Sequence, residues 1–370
     1  MRVAIDCYEL VKGHGKSIGI YNYSKNLLDE LSKKLSDKHE VIIFANKFNK
    51  VDFEYENVNT VIIQRSPLKT SNKVIWEMLL INTYIKKYNI DVLFSPRGYV
   101  PPINSCKTCI TVHDLIPFYY YENYKDSIKY LENLYIRFRL KQSVLKSDKI
   151  ITISQYSKND IIKRFNIKHN NITVIHNGIK KKLKKHNQAI KICDNYIFAI
   201  SSDLPHKNYI GLLKSYAIYY KNSKHPLKLV VCGVKKYRDF SNLIEKNIFE
   251  NILHLEYISD EELQNYYEKC SFFVFLSKIE GFGFPPLEAL MYNKNVICSN
   301  TSCFTEVLGD SVVYVNPDDY REISKEMINV ENNIYNIDNS YKEAIIKKYD
   351  WESCANEVFN VLNTFLSEDK

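Results

Sequence analysis

The chain has 370 residues, of which 45% are hydrophobic and 25% charged, and its formal net charge is +8. That length predicts about two domains, and the composition supplies full apolar cores and argues against a disordered chain. The moderate basic excess permits an anionic ligand or lipid surface without requiring one, and the nine scattered cysteines read as free thiols of a reducing compartment. Cys106 and Cys109 have the spacing of half a zinc site, but no second pair accompanies them. Met1 to Asp6 begins a strand directly, with no signal-peptide core ahead of it, and no apolar run reaches the roughly 18 residues that span a bilayer. The expectation is a cytoplasmic protein whose contact with a membrane, at the inner face, is peripheral.

Arg2 to Asp6 reads as the first strand. The loop from Lys12 to Gly19 then leads into a helical pattern from Ile20 through Leu31. Gly13, Gly15 and Gly19 resemble a dinucleotide fingerprint, but Gly15 and Gly19 stand one residue too far apart, so the loop is either ligand-facing or an ordinary flexible loop. Val41 to Ala45, Thr60 to Ile63 and Asp91 to Ser95 are strands. Val74 to Tyr88 has helical spacing, with Ile75, Met78, Leu79, Ile81 and Ile85 on one broad apolar face expected to pack in the core. Cys109 to Val112 is a strand that delivers His113 and Asp114 to its carboxyl end, where ligands of open parallel sheets sit. From the residues alone, His113 is either a site group or a histidine satisfied by a neighbour. Tyr121 to Lys146 is a long helical stretch whose stripe of Ile128, Leu131, Leu134, Tyr135 and Phe138 is flanked by Lys125, Lys129, Arg137, Arg139 and Lys141. It reads as a solvated basic face or as a surface for anionic lipid. A strand from Lys149 to Ser154, a helix from Lys158 to Phe165 capped by Ser154 or Ser157, and a strand from Ile172 to Ile175 complete the half. The lysine-rich run 180–186 has no interleaved aromatics and reads as an interdomain link, not a nucleic-acid patch.

Strand and helix patterns alternate again from Tyr196, so the chain is expected to be α/β, two doubly wound Rossmann-like sheets facing a cleft with the link as hinge. The loop Ser201 to Asn208 follows the first strand of this half. Lys207, beside a helix start, is either a phosphate contact or an ordinary loop lysine. A strongly apolar run, Ser271 to Ser277, reads as a buried strand and leads into Glu280-Gly281-Phe282-Gly283-Phe284-Pro285-Pro286-Leu287-Glu288-Ala289-Leu290. The two glycines allow positive φ and let a ligand approach the backbone closely, and a proline suits the first turn of the following helix. The loop amides and the helix N-terminus favour an anion, while Glu280 and Glu288 would repel a bare phosphate. Those carboxylates suit the hydroxyls of a ligand that carries phosphates and sugars together, which describes a nucleotide sugar.

Glu280 and Glu288, with seven residues between them that include Gly-Phe-Gly-Phe-Pro, resemble the signature of retaining glycosyltransferases of the two-Rossmann (GT-B) type, similar to bacterial mannosyltransferase-like enzymes of polysaccharide assembly. Thr111-Val112-His113-Asp114-Leu115-Ile116-Pro117 is similar to the family's Thr-x-His-Asp-Leu-x-Pro element. Ser17-Ile18-Gly19-Ile20-Tyr21 is similar to its Arg-Gly-Ile-Gly-Arg-Tyr segment, without the arginines, for which Lys16 is a substitute. Ser201 to Asn208 resembles its Glu-Pro-Arg-Lys-Asn loop, with His206 in place of the arginine. Thr305 to Asp310 resembles its Pro-Glu-Val-x-Gly-Asp turn, where Glu306 helps hold the loop.

The resemblance implies that Glu280 and the backbone of Phe282, Gly283 and Phe284 contact the donor sugar and diphosphate. It also implies that Glu288 binds the nucleotide ribose, Lys207 the diphosphate, Gly19 the donor side of the cleft, and His113 the region of the reacting carbon. It implies no cofactor and no metal. The implied domains are an acceptor-side domain over 1–186, a nucleotide-sugar domain over 187–348 and a C-terminal helix, 349–370, that crosses back to the first, with Trp351 as an anchor. The implied reaction is transfer of a hexose, mannose among the candidates, from a GDP- or UDP-sugar to a lipid-linked or polysaccharide acceptor. A nucleotide-sugar epimerase, a glycosyl phosphorylase or a catalytically silent partner-binding subunit are the competing readings.

Overall fold

Strands that are apolar on both faces must be covered on both sides, and such strands organise this chain. The computed structural model describes residues 1–13, 18–125, 129–179, 195–256, 258–335 and 339–367. The chain divides into two compact units, one made of Met1–Lys180 and Tyr349–Lys370, the other of Lys181–Lys348. The expected division at residue 186 and the lysine-rich run both fall in 180–194, outside the described residues.

Among the described residues, the first unit holds a seven-stranded sheet of β1 (Arg2–Asp6), β2 (Glu40–Asn46), β3 (Val58–Ile63), β4 (Val92–Ser95), β5 (Lys107–Val112), β6 (Lys149–Thr152) and β7 (Ile172–Val174). Its spatial order is β3-β2-β1-β4-β5-β6-β7, parallel throughout. The second unit holds six parallel strands, β8 (Tyr196–Ile200), β9 (Lys228–Cys232), β10 (Ile252–Leu255), β11 (Phe272–Phe275), β12 (Asn295–Ser299) and β13 (Val313–Val315), in the order β10-β9-β8-β11-β12-β13. Both are doubly wound. The strand order reverses between β1 and β4 in one and between β8 and β11 in the other, and the crevice at such a reversal is where these sheets hold ligands. In the second unit, Ile197 pairs with Phe272 and Ala199 with Val274, so the chain leaving β8 and the chain leaving β11 emerge side by side. Those exits are the segments that carry Lys207 and Glu280.

The C-terminal helix Trp351–Ser367 packs along helix Ile18–Ser36 within the first unit. Gly178 makes the junction possible, because a Cβ there would lie 2.3 Å from the Trp351 backbone nitrogen. The Trp351 ring is buried and meets Tyr23 edge-on at 5.9 Å.

Several elements differ from the sequence expectation. The stretch expected as one helix over Tyr121 to Lys146 comprises helix Ile116–Asn123 and a second helix, Tyr130–Lys146, and Ile128 lies outside the described residues. Its apolar stripe faces solvent, with Leu131 76% and Phe138 59% exposed, whereas Arg139, expected on the basic flank, is fully buried. The Val74 to Tyr88 stretch is helical but contains a π turn at Trp76–Leu80, which rotates the face so that Glu77 is buried and Leu79 exposed. Within the strand–helix alternation expected from Tyr196, the stretch Arg238 to Ile248 is not one helix but a 3-10 segment, Tyr237–Leu243, followed by one turn, Lys246–Phe249.

Candidate active site

β11 is buried at every residue, and the chain leaves it through Leu276 and Ser277 into the Glu280 loop. The loop closes onto helix Phe284–Met291, with Pro285 in its first turn and Gly283 as N-cap. Of the two loop glycines only Gly283 uses a positive φ, +90°. A Cβ on Gly283 would lie 2.7 Å from Phe304 Cε1, so both conformation and space demand glycine. Phe282 is buried against Phe284, with ring centroids 5.3 Å apart, and this fixes the loop on its apolar side.

The chain leaving β8 makes a 3-10 turn, Pro205–Lys207, closed by Asn208 in the left-handed region. The turn is tied to the neighbouring exit: Lys278 N–H donates to the His206 carbonyl at 2.7 Å, and Ser277 Oγ lies 3.2 Å from the same oxygen. Lys207 Nζ is thereby brought to 2.5 Å from Glu280 Oε1, which also accepts from Ser277 Oγ at 2.7 Å. Ser302 Oγ accepts from the Glu280 backbone N–H at 3.3 Å. Both charged side chains of the pair remain partly open to solvent, 25% for Lys207 and 15% for Glu280. His206, by contrast, is buried, and burial pushes its imidazole down to about 4 against the pull of Glu280. It is neutral at physiological pH and adds no positive charge beside Lys207.

Glu288 lies one turn into helix Phe284–Met291 and is half-buried. Its Oε2 accepts from Tyr267 Oη at 2.9 Å. Tyr267, in helix Asp260–Lys269, was not legible as a site residue, since a tyrosine before an apolar strand reads as core. The second unit thus brings together Lys207, Glu280, Phe282, Gly283, Phe284 and Glu288. Among the described residues no group of three or more His, Cys, Asp or Glu side chains could hold a metal ion.

His113 and Gly19 belong to the first unit. His113 follows β5, and its Nε2 lies 2.8 Å from the Pro96 carbonyl oxygen. A carbonyl can only accept, so Nε2 carries the proton and Nδ1 presents a lone pair. Tyr23 meets the imidazole edge-on at 4.6 Å. Burial takes His113 down to about 4, opposed by the hydrogen bond to Pro96, so the ring is neutral. Gly19 lies in the first turn of helix Ile18–Ser36, where a Cβ would meet open space, so packing does not demand glycine there. Lys16 and Ser17 lie outside the described residues.

The first unit also contains a buried charge network that sequence reasoning missed. Glu9, just past β1, lies 2.5 Å from Arg97 Nη1, just past β4. Arg97 also reaches Glu77 at 3.9 Å, and Glu77 Oε2 lies 3.2 Å from Tyr135 Oη and 3.5 Å from Arg139 Nε. Burial and the charge of Glu9 raise Glu77. Burial works in the same direction on Glu9, but Arg97, a hydrogen bond from Glu77 and Lys73 together bring it below the ordinary carboxylate range. Glu77 therefore holds its proton to higher pH than an ordinary carboxyl, while the hydrogen bond between the two acids favours the charged form of Glu9. The signal was Glu9 and Arg97 just past two strand ends, but Glu77 and Arg139 lie inside helical segments, so the four come from separate stretches of chain.

Residues 23–182 match glycosyltransferase family 4 and residues 180–351 match glycosyl transferases group 1. The chain is 29% identical over 329 residues to O-antigen chain mannosyltransferase RfbU of Salmonella typhimurium, covering 86% of this chain and 88% of that protein. It is 27% identical over 296 residues to O-antigen chain mannosyltransferase B of Escherichia coli, covering 75% of each. Among solved structures, sucrose-phosphate synthase from Thermosynechococcus elongatus superposes with a TM-score of 0.73 at 15% identity, over 99% of both chains. Anabaena HepE in complex with UDP and glucose superposes with a TM-score of 0.71 at 15% identity, over 98% of this chain and 100% of that one.

Proposed function

From the premise that this chain is a GT-B glycosyltransferase, with a family 4 domain followed by a group 1 domain, we propose that it moves a hexose from a nucleotide diphosphate sugar to a growing glycan, with retention of configuration. The observation that carries this reading is the convergence, at the ends of β8 and β11, of one ammonium, two carboxylates and a helix N-terminus. The reaction must stabilise a departing diphosphate and an oxocarbenium-like sugar. Lys207, the amides of Phe282, Gly283 and Phe284, and the positive end of helix Phe284–Met291 supply the first. Glu280 accepts from the sugar hydroxyls and Glu288 from the ribose. His113, in the first unit, is neutral with its lone pair on Nδ1, so toward a hydroxyl it is an acceptor and not a proton donor. The acceptor hydroxyl attacks the face from which the diphosphate departs, and its proton leaves with the diphosphate oxygen.

The names of the two relatives, O-antigen chain mannosyltransferases, support mannose as the sugar and a glycan chain as the acceptor. A peripheral membrane site is part of the same proposal. Helix Tyr130–Lys146 exposes Leu131, Leu134, Phe138 and Leu145 with Lys141 and Lys146 nearby, an amphipathic pattern suited to anionic lipid. No described helix is long and apolar enough to cross a membrane. The test is a screen of donor hydrolysis across GDP- and UDP-sugars, followed by the anomeric coupling of the transferred residue. GDP-mannose turnover with an α-linked product is expected, and activity with no nucleotide sugar would reject the reading.

A further inference from the structure

We infer that Tyr267 is a positioning residue for nucleotide recognition, whose hydroxyl fixes the Glu288 carboxylate in the orientation that accepts the donor's ribose hydroxyls. This rests on the role proposed above for Glu288. Tyr267 Oη donates to Glu288 Oε2 at 2.9 Å. The tyrosine ring is held on several sides: edge-on to Phe198 at 5.2 Å, against Phe273 at 5.3 Å, and stacked on Tyr292 at 5.9 Å with planes 6° apart. It is 1% exposed. A ring packed in this way places its oxygen with little freedom, since two rotatable angles precede it.

A half-buried glutamate on a helix has more rotamers to lose, and ordering it for a ligand costs binding free energy unless the fold has already done so. Tyr267 does this. It occupies part of the acceptor capacity of a carboxylate that can take about four hydrogen bonds. Burial, reinforced by the charge of Glu288, raises the phenol well above its ordinary range, so it stays a donor at any working pH. Packing alone would be met as well by phenylalanine. A buried hydroxyl costs free energy without a partner, and the partner here is the carboxylate of the nucleotide-binding helix.

The experiment compares binding of GDP and UDP with that of their 2′,3′-dideoxy counterparts by calorimetry, for wild type, Tyr267→Phe and Glu288→Ala. Wild type is expected to prefer the ribose form by about tenfold or more, and Glu288→Ala to bring that ratio near one. Tyr267→Phe is expected to lower the ratio by about threefold to tenfold while leaving the affinity for the dideoxy form unchanged. A structural role alone would weaken both forms equally. If Tyr267→Phe keeps the wild-type ratio while Glu288→Ala loses it, the inference is overturned and the ribose role of Glu288 stands. If Glu288→Ala itself keeps the ratio, the ribose reading falls and takes this inference with it.

Discussion

Lys207 and Glu280, leaving adjacent parallel strands, form an ion pair with Nζ and Oε1 2.5 Å apart. The proposed diphosphate must compete with Glu280 for that ammonium. Glu280→Gln is therefore expected to bind GDP or UDP as tightly as wild type or tighter, while transfer falls by about 10²–10³, because the sugar loses its charged acceptor. Lys207→Ala is expected to lose both binding and transfer. Calorimetry beside initial rates separates the two, and an equal loss of nucleotide affinity in both variants would break the scheme.

Gly283 combines a φ of +90° with contact to Phe304. Gly283→Ala is expected to cost about 1–3 kcal/mol and most of the activity. Adding Phe304→Leu makes room for the methyl but does not relieve φ, so the double variant should recover part of the stability and little of the turnover. Thermal unfolding with rate measurements checks this.

Glu77 is raised chiefly by burial and then by Glu9, so the folded state holds its proton to higher pH than the unfolded state. Its contribution to stability is complete below the ordinary carboxylate range and is lost as pH rises through the raised value. Asp6, Lys73, Arg97, Tyr99, Tyr135 and Arg139 surround the pair of Glu9 and Glu77. Glu77→Gln, which never ionises, should gain on wild type as pH rises, measured by denaturant unfolding at pH 6 and pH 9. Arg97→Met leaves Glu9 buried without its main partner and should cost about 3–5 kcal/mol.

His113, His206 and His254 are each lowered to about 4, chiefly by burial. Between the ordinary histidine value and about 4 the unfolded chain binds protons that the folded chain does not. Stability is thus present above the ordinary value and is lost as pH falls through that window, with a slope of about 1.4 kcal/mol per pH unit for each group. Replacing His254 with phenylalanine should flatten the slope by about one such increment. The same shift predicts no acidic limb near pH 6.5 from His113 in the rate profile.

Leu131 and Phe138 stand exposed on one face of helix Tyr130–Lys146. Leu131→Ser with Phe138→Ser is expected to reduce sedimentation with vesicles containing anionic lipid several-fold while leaving the unfolding temperature within a degree or two. Equal sedimentation of variant and wild type would remove the peripheral-membrane part of the proposal.

The Glu280 loop was legible because its signals are local: an apolar run, a glycine, a proline and an acid one turn on. The doubly wound sheets followed from alternating patterns. What escaped was anything that depends on direction or on distant segments. The periodicity around Leu131 marks a stripe but not which way it points, and one π turn at Trp76–Leu80 reversed the expected exposure of Leu79 and burial of Glu77. Glu9, Glu77, Arg97 and Arg139 meet only once β1 and β4 are side by side. Tyr267 reads as core from the sequence, and only the position of Glu288 shows what its hydroxyl does.

The most direct test of the account is diffraction from crystals grown with GDP or UDP. The diphosphate is expected within hydrogen-bonding distance of Lys207 Nζ and the amides of Phe282 to Phe284, with the ribose on Glu288. A well-ordered nucleotide bound away from these residues would contradict it.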